Sequence, residues 1–196
     1  MKRIETNPTF FCLRATPFGP VVALWSVYRS EPKTVRIVLS KSGVSAKQVV
    51  NKFFPNSTAS LCSGINVLVD QIEGFLNGED IQFSLDIVRF DLCSPFQQRV
   101  LLAEYAIPRG RISTYRLIAE RLGDPNGARA VGTALATNPF PIVIPCHRAI
   151  RSDGSLGGYQ GGLKMKRTLL EMEGVAFSDG DHVATRDFFY RDWKTT

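Results

Sequence analysis

The chain has 196 residues, 44% of them hydrophobic and 21% charged, with four cysteines, two histidines and a net charge of +6. This is an ordinary globular composition of one or two folded units, and no apolar run approaches the roughly 20 residues that cross a bilayer, so no membrane association is expected. The positive balance leaves an anionic partner open and decides nothing by itself.

In chain order, the N-terminus "MKRIETNPTFFCLRA" has two early basic residues but no long apolar segment after them, so no export is expected. Cys12, Cys62, Cys93 and Cys146 are widely separated and form no C-x-x-C pair. Free thiols in a reducing compartment are therefore expected, with no metal. "FFCLR", "VVALWSVY" and "TVRIVLS" have the β-branched and aromatic character of strands. "AKQVVNKFF" and "CSGINVLVDQIEGFLNG" have helical spacing, the second stopping at Asn77-Gly78, and "FSLDIVRF" returns to strand alternation. Residues 1–91 thus form an α/β structural domain without a catalytic constellation.

The character changes at "LCSPFQQRVLLAEYAI". Ser94 is placed to cap a helix, with Pro95 at its first position and Gln97 completing a capping box. After "PRGR", Ser113 caps "TYRLIAERL", which Gly123 closes, and Asn126 caps "GARAVGTALATN". Two short helices joined by "GDPNG" have the form of a helix-turn-helix, although any small helical hairpin has the same pattern. "NPFPIVIPCHR" follows as a strand-like run bracketed by prolines, and "SDGSLGGYQGG" is a loop with five glycines. "LKMKRTLLEMEG" is a helix ending at Gly174, and the acidic stretch 175–196 keeps apolar patches such as "DFFYRDW" that would dock it on the body. The fold class is an α/β N-terminal domain followed by a mostly helical C-terminal domain.

Charge singles out the same region. Between Arg99 and Arg167 there are eleven Lys and Arg against four Asp and Glu, whereas from Thr168 onward three face six. Arg111, Arg116, Arg121 and Arg129 lie on or beside the helical pair and point to nucleic acid, although a solvated helix face would carry the same excess. At the end of the apolar run stands Cys146-His147. A buried thiol beside a core histidine is the plain reading of such a dipeptide; a nucleophile beside its base is the sharper one. A histidine acting as base needs a third group to fix its tautomer, and Glu173 and Glu171 are the nearest acids on the following helix.

"IPRG", "TYRLIAERLG", "ARAVGTALATNP", "NPFPIVI" before "PCHR", and "GYQGGLKMKRTLLEMEG" closely resemble, in order, the O6-alkylguanine-DNA alkyltransferases, the direct-reversal DNA repair proteins. The resemblance runs from about Pro95 to Gly174 and makes residues 92–174 the alkyltransferase domain. It implies that Cys146 accepts the alkyl group from guanine O6 in one irreversible turnover. His147 takes the thiol proton through a water, Glu173 orients His147, and Asn138 braces the turn before the cysteine. Tyr115 crowds the target phosphate and hydrogen-bonds the flipped base, Arg129 fills the vacated stack, and Ala128 belongs to the small-residue face that approaches the minor groove. Backbone groups of Cys146, Ala149 and Gln160 read the guanine edge, Tyr159 walls the pocket, and Lys166 lies near the leaving guanine. Arg148 joins the residues that contact DNA.

The partner implied is double-stranded DNA containing O6-alkylguanine, met by a monomer without cofactor or obligate protein partner, in the cytoplasm or, in a eukaryote, the nucleus. Two departures from the family pattern stand out: "FQQRVLL" lacks the tryptophan many relatives place there, and the first half has no histidine for the zinc site some relatives carry. A non-catalytic alkyltransferase-like lesion binder is the alternative, and Cys146 argues against it. A Cys-His hydrolase and a helix-turn-helix regulator are more distant alternatives.

Overall fold

The computed structural model describes residues 10–178 and 180–191, which divide into two units between Leu92 and Cys93. The start of the N-terminal segment weighed above for export, residues 1–9, and the end of the C-terminal stretch, residues 192–196, lie outside the described residues.

In the first unit, β1 (Phe10–Arg14), β2 (Val21–Tyr28), β3 (Glu31–Val38) and the short β4 (Thr58–Ala59) form a sheet of order β3-β2-β1-β4. The β1–β2 and β2–β3 pairs are antiparallel, and β4 joins β1 in parallel. Helices α1 (Ala46–Phe53) and α2 (Ser63–Leu76) explain why β2 is one continuous apolar run. Val22 and Leu24 face Ala46 and Val50 of α1, while Ala23 and Trp25 face Ile65 and Val69 of α2. With both faces covered, strict polar alternation disappears. Ser45 and Gln48 close a full capping box at the start of α1.

"FSLDIVRF" is not a strand. Ser84 Oγ accepts the Asp86 N–H at 3.1 Å, and the chain winds into 3-10 turns at Leu85–Ile87 and Phe90–Leu92, keeping a single bridge between Thr34 and Val88. A local side-chain bond has outcompeted the sheet ladder.

The second unit is built on α3 (Pro95–Tyr105), α4 (Tyr115–Arg121), α5 (Ala128–Ala136) and α6 (Leu163–Met172), with a two-residue parallel pair, β5 (Ser113–Thr114) and β6 (Ala149–Ile150). Ser94 caps α3 through the Gln97 N–H as its sequence dictates. The Gln97 side chain does not close the box: its Nε2 donates to the Ala134 carbonyl and to Thr137 Oγ1, both at 3.1 Å, and so ties α3 to the end of α5. Thr114, not Ser113, caps α4, because Ser113 Oγ donates to the Phe189 carbonyl. Gly127, not Asn126, precedes α5. Asp124 accepts the Asn126 N–H and folds the turn from within.

The described part of the stretch after Gly174 packs on this unit. Val175, Val183 and Phe188 are buried with Ile112, Ile150, Leu156 and Leu170. The Phe189 N–H bonds the Ile112 carbonyl, and Tyr190 Oη donates to the Ala103 carbonyl at 2.7 Å. Phe188→Ala should therefore destabilise the protein by about 3 to 5 kcal/mol, the usual cost of truncating a buried phenylalanine, as read from a denaturant midpoint. A loss below about 1 kcal/mol would show that this segment is not part of the core. Among the described residues no helix is long and apolar enough to cross a membrane.

Candidate active site

Asn138 organises the approach to the cysteine. Its side chain is fully buried, accepts the Phe140 N–H at 2.9 Å and donates to the Ile144 carbonyl at 3.2 Å. The "NPFPIVI" segment consequently makes a tight irregular turn instead of the expected strand, with a bridge between Pro141 and Ile144. Ile142 is forced to φ +76°, a conformation rare for a β-branched residue. The turn delivers Pro145 and then a 3-10 turn, Cys146–Arg148, which carries the reactive groups.

The three residues of that turn are buried, and two of them, His147 and Arg148, share Glu173 as partner. His147 Nε2 lies 2.9 Å from Glu173 Oε1. Because a carboxylate only accepts, this contact puts the proton of a neutral imidazole on Nε2 and makes Nδ1 the basic nitrogen. Arg148 was expected at the DNA. Instead its Nε and Nη2 reach the two Glu173 oxygens at 2.9 and 2.8 Å, and its Nη1 reaches the Ile107 carbonyl at 2.6 Å. A buried guanidinium must be paired, and the pairing with Glu173 and the Ile107 carbonyl holds this one largely inside the protein. Of the two acids weighed from the sequence, Glu171 binds Arg167 on the exposed side of α6, and Glu173 alone reaches the histidine.

Electrostatics follow from this packing. Burial pushes Glu173 up, but bonds from His147 and Arg148 outweigh it and hold the carboxyl at about 2. Burial drives His147 below its usual value against the opposing pull of Glu173, so the imidazole is neutral at pH 7 and able to accept a proton. Burial lifts the Cys146 thiol to about 12, with the Asn138 amide pulling the other way. The resting sulfur is a thiol, and a base is needed at the moment of attack.

Cys146 opens into a cavity of about 350 Å³ lined by Tyr115, Leu135, Ala136, Arg151, Tyr159 and Gln160 together with glycines 132, 157 and 158. That is within the range of small-ligand pockets and large enough for a single base. The tyrosines are held by close approaches. A Cβ on Gly157, which has φ +68°, would stand 2.7 Å from Tyr115 Oη. The Tyr159 ring meets His147 edge-on at 6.2 Å. Gln160 Nε2 donates to the Asn138 carbonyl at 2.7 Å, tying the glycine-rich loop to the cysteine turn. Lys166 is fully buried, its Nζ 2.6 Å from the Ala149 carbonyl and 5.9 Å from the centre of the Tyr115 ring.

On α5, Arg129 is exposed and Ala128 half-buried. A Cβ on Gly132 would meet nothing within 4 Å, so tight packing against the protein does not account for this glycine. Two residues near the cysteine are not among those singled out from the linear pattern. Arg151 lines the cavity although it stands in an unremarkable loop, and Glu104 is buried on α3. The second was detectable in principle, since it falls four residues after Val100 on the apolar face of its helix.

A buried cysteine lining a base-sized cavity, backed by a buried His-Glu-Arg line and flanked by a basic helical pair, defines a cysteine-centred group-transfer site. Residues 95–175 match the family described as 6-O-methylguanine DNA methyltransferase, DNA binding domain. The chain is 44% identical over 145 residues to a methylated-DNA--protein-cysteine methyltransferase of Methanothermobacter thermautotrophicus, covering 72% of this chain and 80% of that protein. It is 35% identical over 163 residues to the protein of the same name from Salmonella typhimurium, covering 82% and 92%. The crystal structure of Mycobacterium tuberculosis O6-methylguanine methyltransferase superposes with a TM-score of 0.67 at 31% identity, covering 87% of this chain and 96% of that one. A Mycobacterium tuberculosis structure in complex with DNA gives 0.66 at 32%, covering 84% and 93%. The chain belongs to the methylated-DNA--protein-cysteine methyltransferase family.

Proposed function

We propose that this protein repairs DNA by direct reversal, moving the alkyl group of O6-alkylguanine irreversibly onto Cys146. The observation that carries the proposal is the buried line from His147 through Glu173 to Arg148 beside a thiol that opens into a base-sized cavity. His147 Nδ1 takes the thiol proton, directly or through a water, while Glu173 stabilises the imidazolium that forms. The sulfur attacks the alkyl carbon, a C–S bond forms as the C–O6 bond breaks, and guanine leaves with the electron pair and takes up a proton. Lys166 and the Tyr115 hydroxyl supply positive charge and a donor to that departing base.

Guanine O6 lies in the major groove, where a buried sulfur cannot line up behind the alkyl carbon, so the nucleotide must leave the stack. We assign the α4–α5 pair as a helix-turn-helix whose second helix enters the minor groove, with Ala128 and Gly132 permitting close approach. The exposed Arg129 fills the gap left by the flipped base. Arg129→Ala should slow repair of a methylated duplex by about tenfold to a thousandfold, a few kcal/mol of lost compensation for unstacking. Reaction with free O6-benzylguanine should change little, because no stack is opened. Equal losses on the two substrates would remove Arg129 from this role.

We place the protein with the cell's DNA, in the cytoplasm or in a eukaryotic nucleus, acting as a monomer. Peptide mass spectrometry after incubation with methylated duplex tests the proposal. A methyl group on the peptide containing Cys146 supports it, and lesion binding without any mass gain would favour the non-catalytic alternative.

A further inference from the structure

A buried ionisable group near Cys146 has no part in the transfer scheme. Glu104 projects from the inner face of α3, which packs against the Cys146–Arg148 turn, and has no solvent exposure. Neither of its carboxyl oxygens has a hydrogen-bond partner. The Ala149 N–H is turned toward it without closing a bond of normal geometry, and the carbonyl of the same residue is taken by Lys166 Nζ. The charged and titratable groups around Glu104 are Lys166 from α6, Arg148 and Cys146 from the 3-10 turn, Tyr115 from α4 and Tyr190 from the C-terminal segment, and Lys166 is faced in addition by Arg151 and His147.

We propose that Glu104 is a positioning residue for alkyl transfer, governing through Lys166 how much positive charge reaches the Cys146 sulfur and the departing guanine. The proposal rests on the transfer reading given above. Glu173 and Arg148 neutralise one another, so Lys166 is the net charge of the buried cluster while Glu104 keeps its proton. That charge favours the thiolate and the guanine anion. Once Glu104 ionises, the pair is neutral and a carboxylate also faces the sulfur. Burial raises Glu104 to about 8 and lowers Lys166 to about 8, so the change falls just above neutral pH. The pair can lose its proton from either group. Removing the Glu104 route leaves only that of Lys166, and the positive charge then survives to higher pH.

Glu104→Gln tests this, with Glu104→Leu as a second neutral variant suited to the apolar surroundings. Two rates are measured from pH 6.5 to 9: modification of Cys146 by iodoacetamide, followed on its peptide, and methyl transfer from duplex DNA. The ratio of variant to wild-type rate should rise above its pH 6.5 value for both reagents, by up to about twofold near pH 8, because closing one of two proton-loss routes of equal pKa halves the loss of positive charge. In a Lys166→Met background the ratio should stay flat, because Glu104 without its ammonium neighbour remains neutral throughout. A ratio independent of pH with Lys166 present, or a rise that persists in Lys166→Met, overturns the proposal. Iodoacetamide needs no DNA, so a wild-type protein that takes no methyl group from DNA would strike the repair reading alone and leave Glu104 to be decided by the thiol rates.

Discussion

Cys146→Ser should lose alkyl transfer by four orders of magnitude or more, roughly the penalty for removing the nucleophile of a covalent mechanism. The buried thiol at about 12 is already a reluctant nucleophile, and a serine hydroxyl in the same site is a far weaker acid. His147 is neutral and paired to Glu173, which suffices to draw a proton from sulfur but not to generate an alkoxide at useful concentration. The smaller oxygen leaves the surrounding packing intact. Binding to methylated duplex should therefore persist within a few-fold, measured by anisotropy, while transfer vanishes. Retained transfer would require another acceptor.

Glu173→Gln should have the second largest effect, on stability as well as rate. Glu173 holds His147 and Arg148 together, and all three side chains are buried. Removing one charge from a buried pair typically costs about 3 to 5 kcal/mol because the other charge is stranded, here the Arg148 guanidinium. An amide also cannot stabilise the imidazolium, so transfer should slow by about 10²- to 10⁴-fold. The acid stability of the wild type has a defined sign. Glu173 is depressed in the folded state, so its contribution is complete above its unfolded value, about 4.3. It is then lost as pH falls toward about 2. Glu173→Gln should flatten the pH dependence of the melting temperature in that window. An unchanged slope would mean that Glu173 does not titrate as the packing requires.

The parts legible in the sequence are those fixed by local chemistry. Ser94 and Pro95 start α3, Gly174 follows the end of α6 at positive φ, and the ordered motifs around Cys146-His147, not the dipeptide alone, mark the candidate site. The structure departs from the local pattern where a distant partner intervenes. Ser113 is a good cap by type, but the Phe189 carbonyl takes its hydroxyl and Thr114 takes the cap. "NPFPIVI" has strand composition, yet the two bonds of the Asn138 side chain curl it and push Ile142 to positive φ. Arg148 lies in a basic region and invites a DNA role, but its partner is 25 residues away at the end of another helix. Such pairings depend on how helices cross, which periodicity does not encode. The choice between Glu171 and Glu173 was of the same kind, since it depends on how the end of α6 meets the cysteine turn.

In the proposed reaction Cys146 takes one alkyl group and keeps it. A thioether is a stable bond, and no second thiol lines the cavity around Cys146 to remove the group. The alkyl group must also fit a site that encloses a bare sulfur, where overpacking costs about 1 to 3 kcal/mol, so the spent protein should melt at a lower temperature. Quantitative mass spectrometry of protein and DNA after incubation with excess O6-methylguanine duplex separates a single transfer from turnover. The expected result is one methyl group per molecule, on the Cys146 peptide, with repaired guanine never exceeding protein in molar amount. Sustained repair beyond one equivalent, or a methyl group on Cys12, Cys62 or Cys93, would contradict it.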